Sequence, residues 1–330
     1  MLELVKDRVT GPWSNLTSVL DYPTRDPKDK TYGHPGWWGN CSGLLIRDLI
    51  QFYQTTKFRS KSDLVVVDPM SGSGTTWDVC QDIGVACDAY DLNPAPRRGI
   101  GSFDVRSDEL SRAADIQILH WPYGGMVVYS EDVWAGKAKL AGDPRDLSVI
   151  AKYEGWFPFL QAVNESNLRL FSDLKDGGLQ IHIIGDWRSN GQYLSMMRDM
   201  AWLGDLEQIL VKTQHNVRSG VAKYGGKPFI PIHHEYALVW RKKPGSRVTI
   251  RTTLVKDLDL TRWENTTWKA LVRWALEQLG GKATLASLYA KLKDTKKAQA
   301  NPTYDATIRR TLQECPDFVR CGEGVWKLAA

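Results

Sequence analysis

Asp68-Pro69-Met70-Ser71-Gly72-Ser73-Gly74-Thr75-Thr76 follows the apolar run Leu64-Val65-Val66-Val67 and precedes a stretch able to form a helix. A strand, a glycine turn and a helix start in that order let backbone approach a ligand closely, because glycine adopts conformations that a side chain forbids. Outward from the turn, Val85 to Tyr90 reads as the next strand and ends in Asp91-Leu92-Asn93-Pro94. A carboxylate at the tip of a second strand accepts hydrogen bonds from both hydroxyls of a ribose. The two features predict a doubly wound α/β sheet with a nucleoside at the ends of its strands.

The turn lacks the Gly-Lys-Ser/Thr ending that grips polyphosphate and the full glycine spacing of a dinucleotide fold. S-adenosylmethionine, a nucleoside without phosphates, fits it better. With these residues in place the chain resembles the DNA amino-methyltransferases that modify N6 of adenine or N4 of cytosine, whose cofactor loop reads Asp-Pro-Phe-x-Gly-Ser-Gly-Thr-Thr; here Met70 replaces the aromatic. The resemblance covers roughly residues 30 to 243 and implies a Rossmann-like methyltransferase sheet. By the same resemblance Asp68, Met70, Ser71, Gly72, Ser73, Gly74, Thr75 and Thr76 hold the methionine end of the cofactor. Asp91 holds the ribose, Asp104 lies beside the adenine, and Tyr32-Gly33-His34-Pro35-Gly36 with Leu44 to Phe52 packs against the methionine end, so that His34 joins the cofactor site.

In that family a strand ends in Asp/Asn/Ser-Pro-Pro-Tyr/Phe, whose first side chain accepts protons of the target amino group while the aromatic stacks on an extruded base. This chain has the alternating strand Asp115 to Leu119, then His120-Trp121-Pro122-Tyr123-Gly124-Gly125. His120 and Trp121 replace the polar acceptor and the first proline, and Pro122 and Tyr123 are retained. A neutral imidazole still accepts one hydrogen bond, a role that protonation abolishes. The expectation is that His120, Pro122 and Tyr123 present the amine and that Tyr123 and Trp121 sandwich a flipped base.

The middle region completes the sheet. Phe157 to Asp173 has helical spacing, Leu179 to Ile184 is a strand leading to Asp186, and Asp186 reads as a helix cap or a pocket residue. Leu206 to Lys212 and Glu235 to Trp240 are a last pair of strands. The long basic connection between them, with Arg218, Lys223 and Lys227, is placed to embrace nucleic acid.

The chain has 330 residues and a net charge of +5, and the whole of that excess falls in residues 261 to 330, where 12 Lys and Arg face 7 Asp and Glu. Its five scattered cysteines indicate neither a disulfide framework nor a zinc site, and no metal is expected. No apolar run reaches the length of a membrane span and the first residues lack a signal-peptide pattern, so a cytoplasmic protein without a membrane partner is expected. The divisions expected are a methyltransferase domain over 1–243, a basic linker over 244–262 and a third segment over 263–330. In that last segment Trp268 to Leu279, Thr284 to Lys293 and Thr303 to Cys315 read as helices, followed by two short strands around Gly322-Glu323-Gly324. Three helices and a hairpin, with the Gly324-Val325-Trp326-x-Leu328 ending, resemble the C-terminal winged-helix modules of restriction–modification proteins and chromatin factors. That resemblance places Arg309 and Arg310 on the helix facing duplex DNA. The function implied is methyl transfer from S-adenosylmethionine to an exocyclic amine of a DNA base. The alternatives are an RNA base amino-methyltransferase and a catalytically altered methyltransferase-fold protein that only binds DNA.

Overall fold

The computed structural model describes residues 16–23, 31–58, 63–134, 141–215, 230–245, 247–252, 259, 261–262 and 266–329. The chain divides into two compact units, Met1–Thr253 and Leu254–Ala330.

The first unit runs β1 (Val19–Leu20), α1 (Gly43–Thr56), β2 (Val65–Asp68), α2 (Thr75–Asp82), β3 (Ala86–Ala89) and β4 (Ala114–His120). It continues through α3 (Tyr129–Asp132), α4 (Leu147–Tyr153), α5 (Trp156–Ser172) and β5 (Leu174–Ile184). A hairpin of β6 (Asp186–Ser189) and β7 (Gln192–Ser195), then α6 (Met196–Asp199) and β8 (Trp202–Leu203), lead to β9 (Asp205–Thr213), β10 (His234–Arg241) and β11 (Ile250–Arg251). Among the described residues seven strands form one sheet in the order β1-β9-β10-β5-β4-β2-β3. β10 is antiparallel to both of its neighbours, while the β3-β2-β4-β5 run is parallel. This is the doubly wound, Rossmann-like sheet expected from the glycine turn, with one reversed strand.

Its two faces are covered by different helices. Leu45, Ile46, Leu49, Ile50 and Tyr53 of α1 recur at helical spacing and pack with Val79 and Cys80 of α2 on one face. Phe159, Leu160, Val163, Leu170 and Phe171 of α5 cover the other, each burial contributing about 1.5–3 kcal/mol before chain entropy is subtracted. With both faces covered, β2 is apolar without alternation up to Asp68, the last residue of the strand, at its carboxyl end. That end is where the functional side chains collect.

Two local expectations are corrected. β5 begins at Leu174 rather than at Leu179, because Lys242 and the Gly177-Gly178 pair exchange backbone hydrogen bonds that carry the strand past the glycines. No helix follows Asp186; it opens the β6–β7 hairpin instead of capping.

The second unit has α7 (Trp268–Gln278), β12 (Lys282–Thr284), α8 (Leu285–Leu292), α9 (Lys296–Gln299), α10 (Tyr304–Glu314), β13 (Phe318–Gly322) and β14 (Val325–Leu328). The three long helices and the hairpin match the periodicity. β12, which joins the hairpin in a β12-β14-β13 sheet, and the single turn α9 are additions to the expected elements. Three residues are too few to show a period. Thr267, Thr284 and Thr295 cap the helices that follow them, and Gly280 and Gly281 take the left-handed conformation after α7. Leu271, Leu276, Leu288, Ile308 and Leu312 are wholly enclosed in a core of this unit's own.

Candidate active site

The turn after β2 is stitched to the end of β3. Ser71 N–H donates to the Tyr90 carbonyl at 2.8 Å, and Tyr90 N–H donates to the Asp68 carbonyl at 2.8 Å. Gly72 N–H donates to Asp91 Oδ2 at 2.7 Å, and Asn93 N–H to Asp91 Oδ1 at 2.8 Å. Gly72 and Gly74 both have positive φ, 49° and 78°, which explains why glycine stands at those two positions. Gly74 itself faces away from the cleft, toward Arg98.

A cleft opens beside this turn. Asp68, Met70, Ser71, Gly72, Ser73, Thr75 and Thr76 line it, and so do Asp91, Asp104, His120 and Pro122. Residues from four separate stretches of the chain are thereby brought together. Burial pushes the Asp68 carboxyl up to about 7, partly offset by hydrogen bonds from Thr76 and the Met70 N–H, and burial also raises Asp91. Among the described residues no Lys or Arg pairs with either carboxylate. Asp104 differs, because its carboxylate is engaged by Arg106 at 3.2 Å.

The N-terminal segment reaches the turn through a residue that the sequence did not single out. Asn40 Oδ1 accepts from Ser73 Oγ at 2.7 Å and from Thr75 Oγ1 at 2.5 Å, and Trp37 also lines the cleft. His34 does not line it. Its imidazole is exposed and folds back so that Nδ1 accepts from the Gly36 N–H at 3.1 Å, which corrects its assignment to the cofactor site.

At the end of β4, strand alternation separates His120 from its neighbour. His120 faces the cleft, whereas Trp121 is 1% exposed and its indole N–H donates to His182 Nδ1 at 2.9 Å. Trp121 therefore presents no face to an incoming base, and its assignment to nucleic-acid contact is corrected. Its partner belongs to a buried chain in which His182 Nε2 meets Gln180 Oε1 at 3.0 Å and Gln180 donates to Gln117 at 2.9 Å. Gln117 in turn donates to the Leu170 carbonyl at 2.6 Å. Every member is satisfied only if His182 is neutral, and burial holds its imidazole down to about 3. Between that value and 6.5 the unfolded chain binds the extra proton, so stability falls as pH falls through this window. By pH 4 the loss is ~3 kcal/mol. Urea unfolding at pH 7 and pH 4 should show it, with a smaller difference in His182→Gln, whose amide keeps both hydrogen bonds; equal differences in the two proteins would contradict it.

Tyr123 lies behind His120 and does not line the cleft, which corrects its expected stacking on a base. Its ring packs over Gly185, where a Cβ would approach within 2.7 Å, and its hydroxyl donates to Glu235 Oε2 at 2.7 Å and lies 3.2 Å from His120 Nε2. Glu235 is 4% exposed; Lys212 Nζ donates to its Oε1 at 2.6 Å and Gln214 Nε2 to its Oε2 at 2.7 Å. Burial lowers the His120 pKa below its ordinary value, against the attraction of Glu235, so the ring is neutral at pH 7. Burial pushes the Glu235 carboxyl up, but the charge of Lys212 and hydrogen bonds from Lys212 and Tyr123 hold the group ionised. Glu235 and Lys212 carry no motif of their own, and the signal available was a charge at the end of a short apolar run in each strand, Ile209 to Val211 before Lys212 and Tyr236 to Trp240 after Glu235.

Of the basic residues expected to meet nucleic acid, Arg218, Lys223 and Lys227 fall outside the described residues. Arg309 and Arg310 are exposed on α10. Among the described residues no cluster of His, Cys, Asp or Glu has the makings of a metal site, and no helix is long and apolar enough to cross a membrane.

No family model and no curated protein matches the chain. Solved structures similar to it include a protein of Listeria monocytogenes assigned to the class I S-adenosylmethionine-dependent methyltransferases, with 12% identity over 61% of this chain and 59% of that one and a TM-score of 0.35. TrmN of Thermus thermophilus matches with 14% identity over 61% and 49%, at a TM-score of 0.34. The N-methyltransferase NodS of Bradyrhizobium japonicum, in complex with S-adenosyl-L-homocysteine, matches with 8% identity over 61% and 87%, at 0.34. The chain thus spans between about half and three fifths of the length of the first two. At these scores the similarity says nothing about substrate.

Proposed function

We propose that the first unit is an S-adenosylmethionine-dependent methyltransferase acting on an exocyclic amino group of a DNA base, adenine N6 or cytosine N4. The observation that carries this reading is that His120 opens onto the same cleft as Asp68, Gly72 and Asp91. A ligand-binding turn and a neutral acceptor side chain therefore face one space.

The cleft suits this cofactor chemically. Two buried carboxylates without a cationic partner among the described residues fit a ligand that brings positive charge and hydroxyls but no phosphate. Asp91 would take the ribose hydroxyls and Asp68 would face positive charge, while the turn 70–76 wraps the methionine end. S-adenosylmethionine supplies, when bound, a methyl group already activated by its sulfonium. His120 then needs only to accept a hydrogen bond from the amine and hold it in line, in a pocket that excludes water. Neither a metal nor a covalent enzyme intermediate is required.

The order of elements in the second unit supports a winged-helix reading, with α10 as the helix that meets DNA and Arg309 and Arg310 at phosphates. Among the described residues Arg310 pairs with an exposed Glu314 at 3.6 Å, which a phosphate displaces at little cost. Arg309→Ala with Arg310→Ala should weaken duplex binding and lower the slope of log K against log salt by about 2. An unchanged slope in fluorescence anisotropy titrations would remove α10 from the interface.

The deciding experiment is transfer of label from radioactive S-adenosylmethionine to unmodified duplex DNA, with structured RNA in parallel and digestion to nucleosides. Label in N6-methyladenine or N4-methylcytosine is expected. Label in RNA alone would replace DNA with an RNA base as the substrate, and cofactor binding without label in either would leave a binding protein.

A further inference from the structure

Behind His120 a line of hydrogen-bonded side chains connects the cleft to Lys212, with its donors converging on Glu235. Lys212 Nζ lies 2.6 Å from Glu235 Oε1, Tyr123 Oη 2.7 Å from Glu235 Oε2, and Tyr123 Oη 3.2 Å from His120 Nε2. The members come from the neighbouring strands β9 and β10 and from the end of β4, which β5 separates from β10 in the sheet.

The tyrosine has one proton to give. An ionised carboxylate at 2.7 Å is a stronger acceptor than a neutral imidazole at 3.2 Å, so the phenol proton goes to Glu235. The phenol oxygen is then left as an acceptor, and the contact with His120 is satisfied only if Nε2 carries the hydrogen. Nδ1 is consequently the unprotonated nitrogen. It has no hydrogen-bond partner among the described residues, and the ring lines the cleft.

We infer that Glu235, held ionised by Lys212, is a positioning residue that fixes His120 through Tyr123 in the Nε2–H tautomer, so that the Nδ1 lone pair is offered to the N–H of the methyl acceptor. The amine-accepting role that the DNA amino-methyltransferases it resembles give to a carboxylate, amide or hydroxyl is thus met by an imidazole whose tautomer is set from two strands away in the sheet. A neutral imidazole in the other tautomer would present an N–H to the amine and repel it. The groups that face Glu235 are Lys212 and Gln214 at the end of β9, Tyr123 and His120 at the end of β4, and Cys41 ahead of α1. Burial and the charge of Glu235 keep the Cys41 thiol protonated. Lys212 is therefore the only cation of the group, and it lies on the side away from Tyr123.

Glu235→Gln tests the inference without changing the shape of the site. The amide oxygen stays with Lys212, Gln214 turns its own amide to present oxygen, and the new NH2 faces Tyr123, which reverses the line: the phenol donates to His120 Nε2 and the ring proton moves to Nδ1. Nitrogen-15 NMR of the histidine-labelled full chain reads the tautomer directly, with the His120 signals assigned by their loss in His120→Asn. The expected result is Nε2–H in the wild-type protein and Nδ1–H in Glu235→Gln, with the His182 signals unchanged as evidence that β4 and β5 remain paired. Nδ1–H in the wild-type protein, or the same tautomer in both, would overturn the inference.

The effect of the tautomer on turnover rests on the methyl-transfer reading; the tautomer itself does not, so the two fail separately. In an active preparation Glu235→Gln should lower kcat roughly 10²–10⁴-fold with cofactor affinity retained. Tyr123→Phe cuts the line, leaves both tautomers accessible and should cost about tenfold. The double variant should then be no worse than Tyr123→Phe alone, a rescue that a merely structural role for Glu235 does not produce. Additive losses would overturn the coupling.

Discussion

Asp91→Ala is expected to weaken binding of S-adenosylmethionine roughly 10²–10⁴-fold in isothermal titration calorimetry. Each hydrogen bond between a hydroxyl and an ionised carboxylate contributes about 1.5–3 kcal/mol, and a ribose offers two such hydroxyls. The residue does a second task, since its oxygens also hold the Gly72 and Asn93 N–H groups and thereby shape the turn. Asp91→Asn separates the two contributions. The amide keeps one acceptor oxygen but sets an N–H donor against one of those backbone donors, so an intermediate loss of affinity is expected, with a fold stable enough to measure. Affinity within threefold of wild type in the alanine variant would remove Asp91 from the site and with it the ribose assignment.

Asp91 was legible because everything that places it is local: two short strands, a glycine turn and a helix, contiguous from residue 64 to 94. The other half of the site was not local. Asn40 meets Ser73 and Thr75 across more than thirty positions, and Glu235 meets Tyr123 across 112. That second contact exists because β10 inserts between β5 and β9, an order that sheet topology decides and that no spacing in the chain announces. Trp121 was misplaced for a different reason. Aligning His-Trp-Pro-Tyr to a motif treats its residues as one string, whereas strand alternation puts Leu119 and Trp121 on one face of the sheet and His120 on the other. The period of two was present in the sequence and would have sent Trp121 to the core. His34 was misplaced because a motif specifies a segment, while one tight turn, closed here by the Gly36 N–H, decides which way a side chain leaves it.

One carboxyl and one imidazole of the cleft should divide the pH dependence of turnover between them. His120 must be neutral to accept from the amine, and burial already holds its pKa below the ordinary histidine value, so kcat is constant at neutral pH and falls only on further acidification. Asp68 must be ionised to face a cationic ligand, and in the free protein its carboxyl stands at about 7. Protonation below that value therefore weakens capture of the cofactor, and kcat/KM for S-adenosylmethionine should fall on the acid side beginning near neutrality. Once the cationic ligand is bound it favours the ionised carboxylate, so this limb is absent from kcat. Substitution then separates the groups: His120→Asn keeps an acceptor that does not titrate and should lose the acidic limb of kcat while retaining that of kcat/KM, and Asp68→Asn should do the reverse. A kcat profile in His120→Asn with the acidic limb of the wild-type enzyme would mean that the amine is held by some group other than His120.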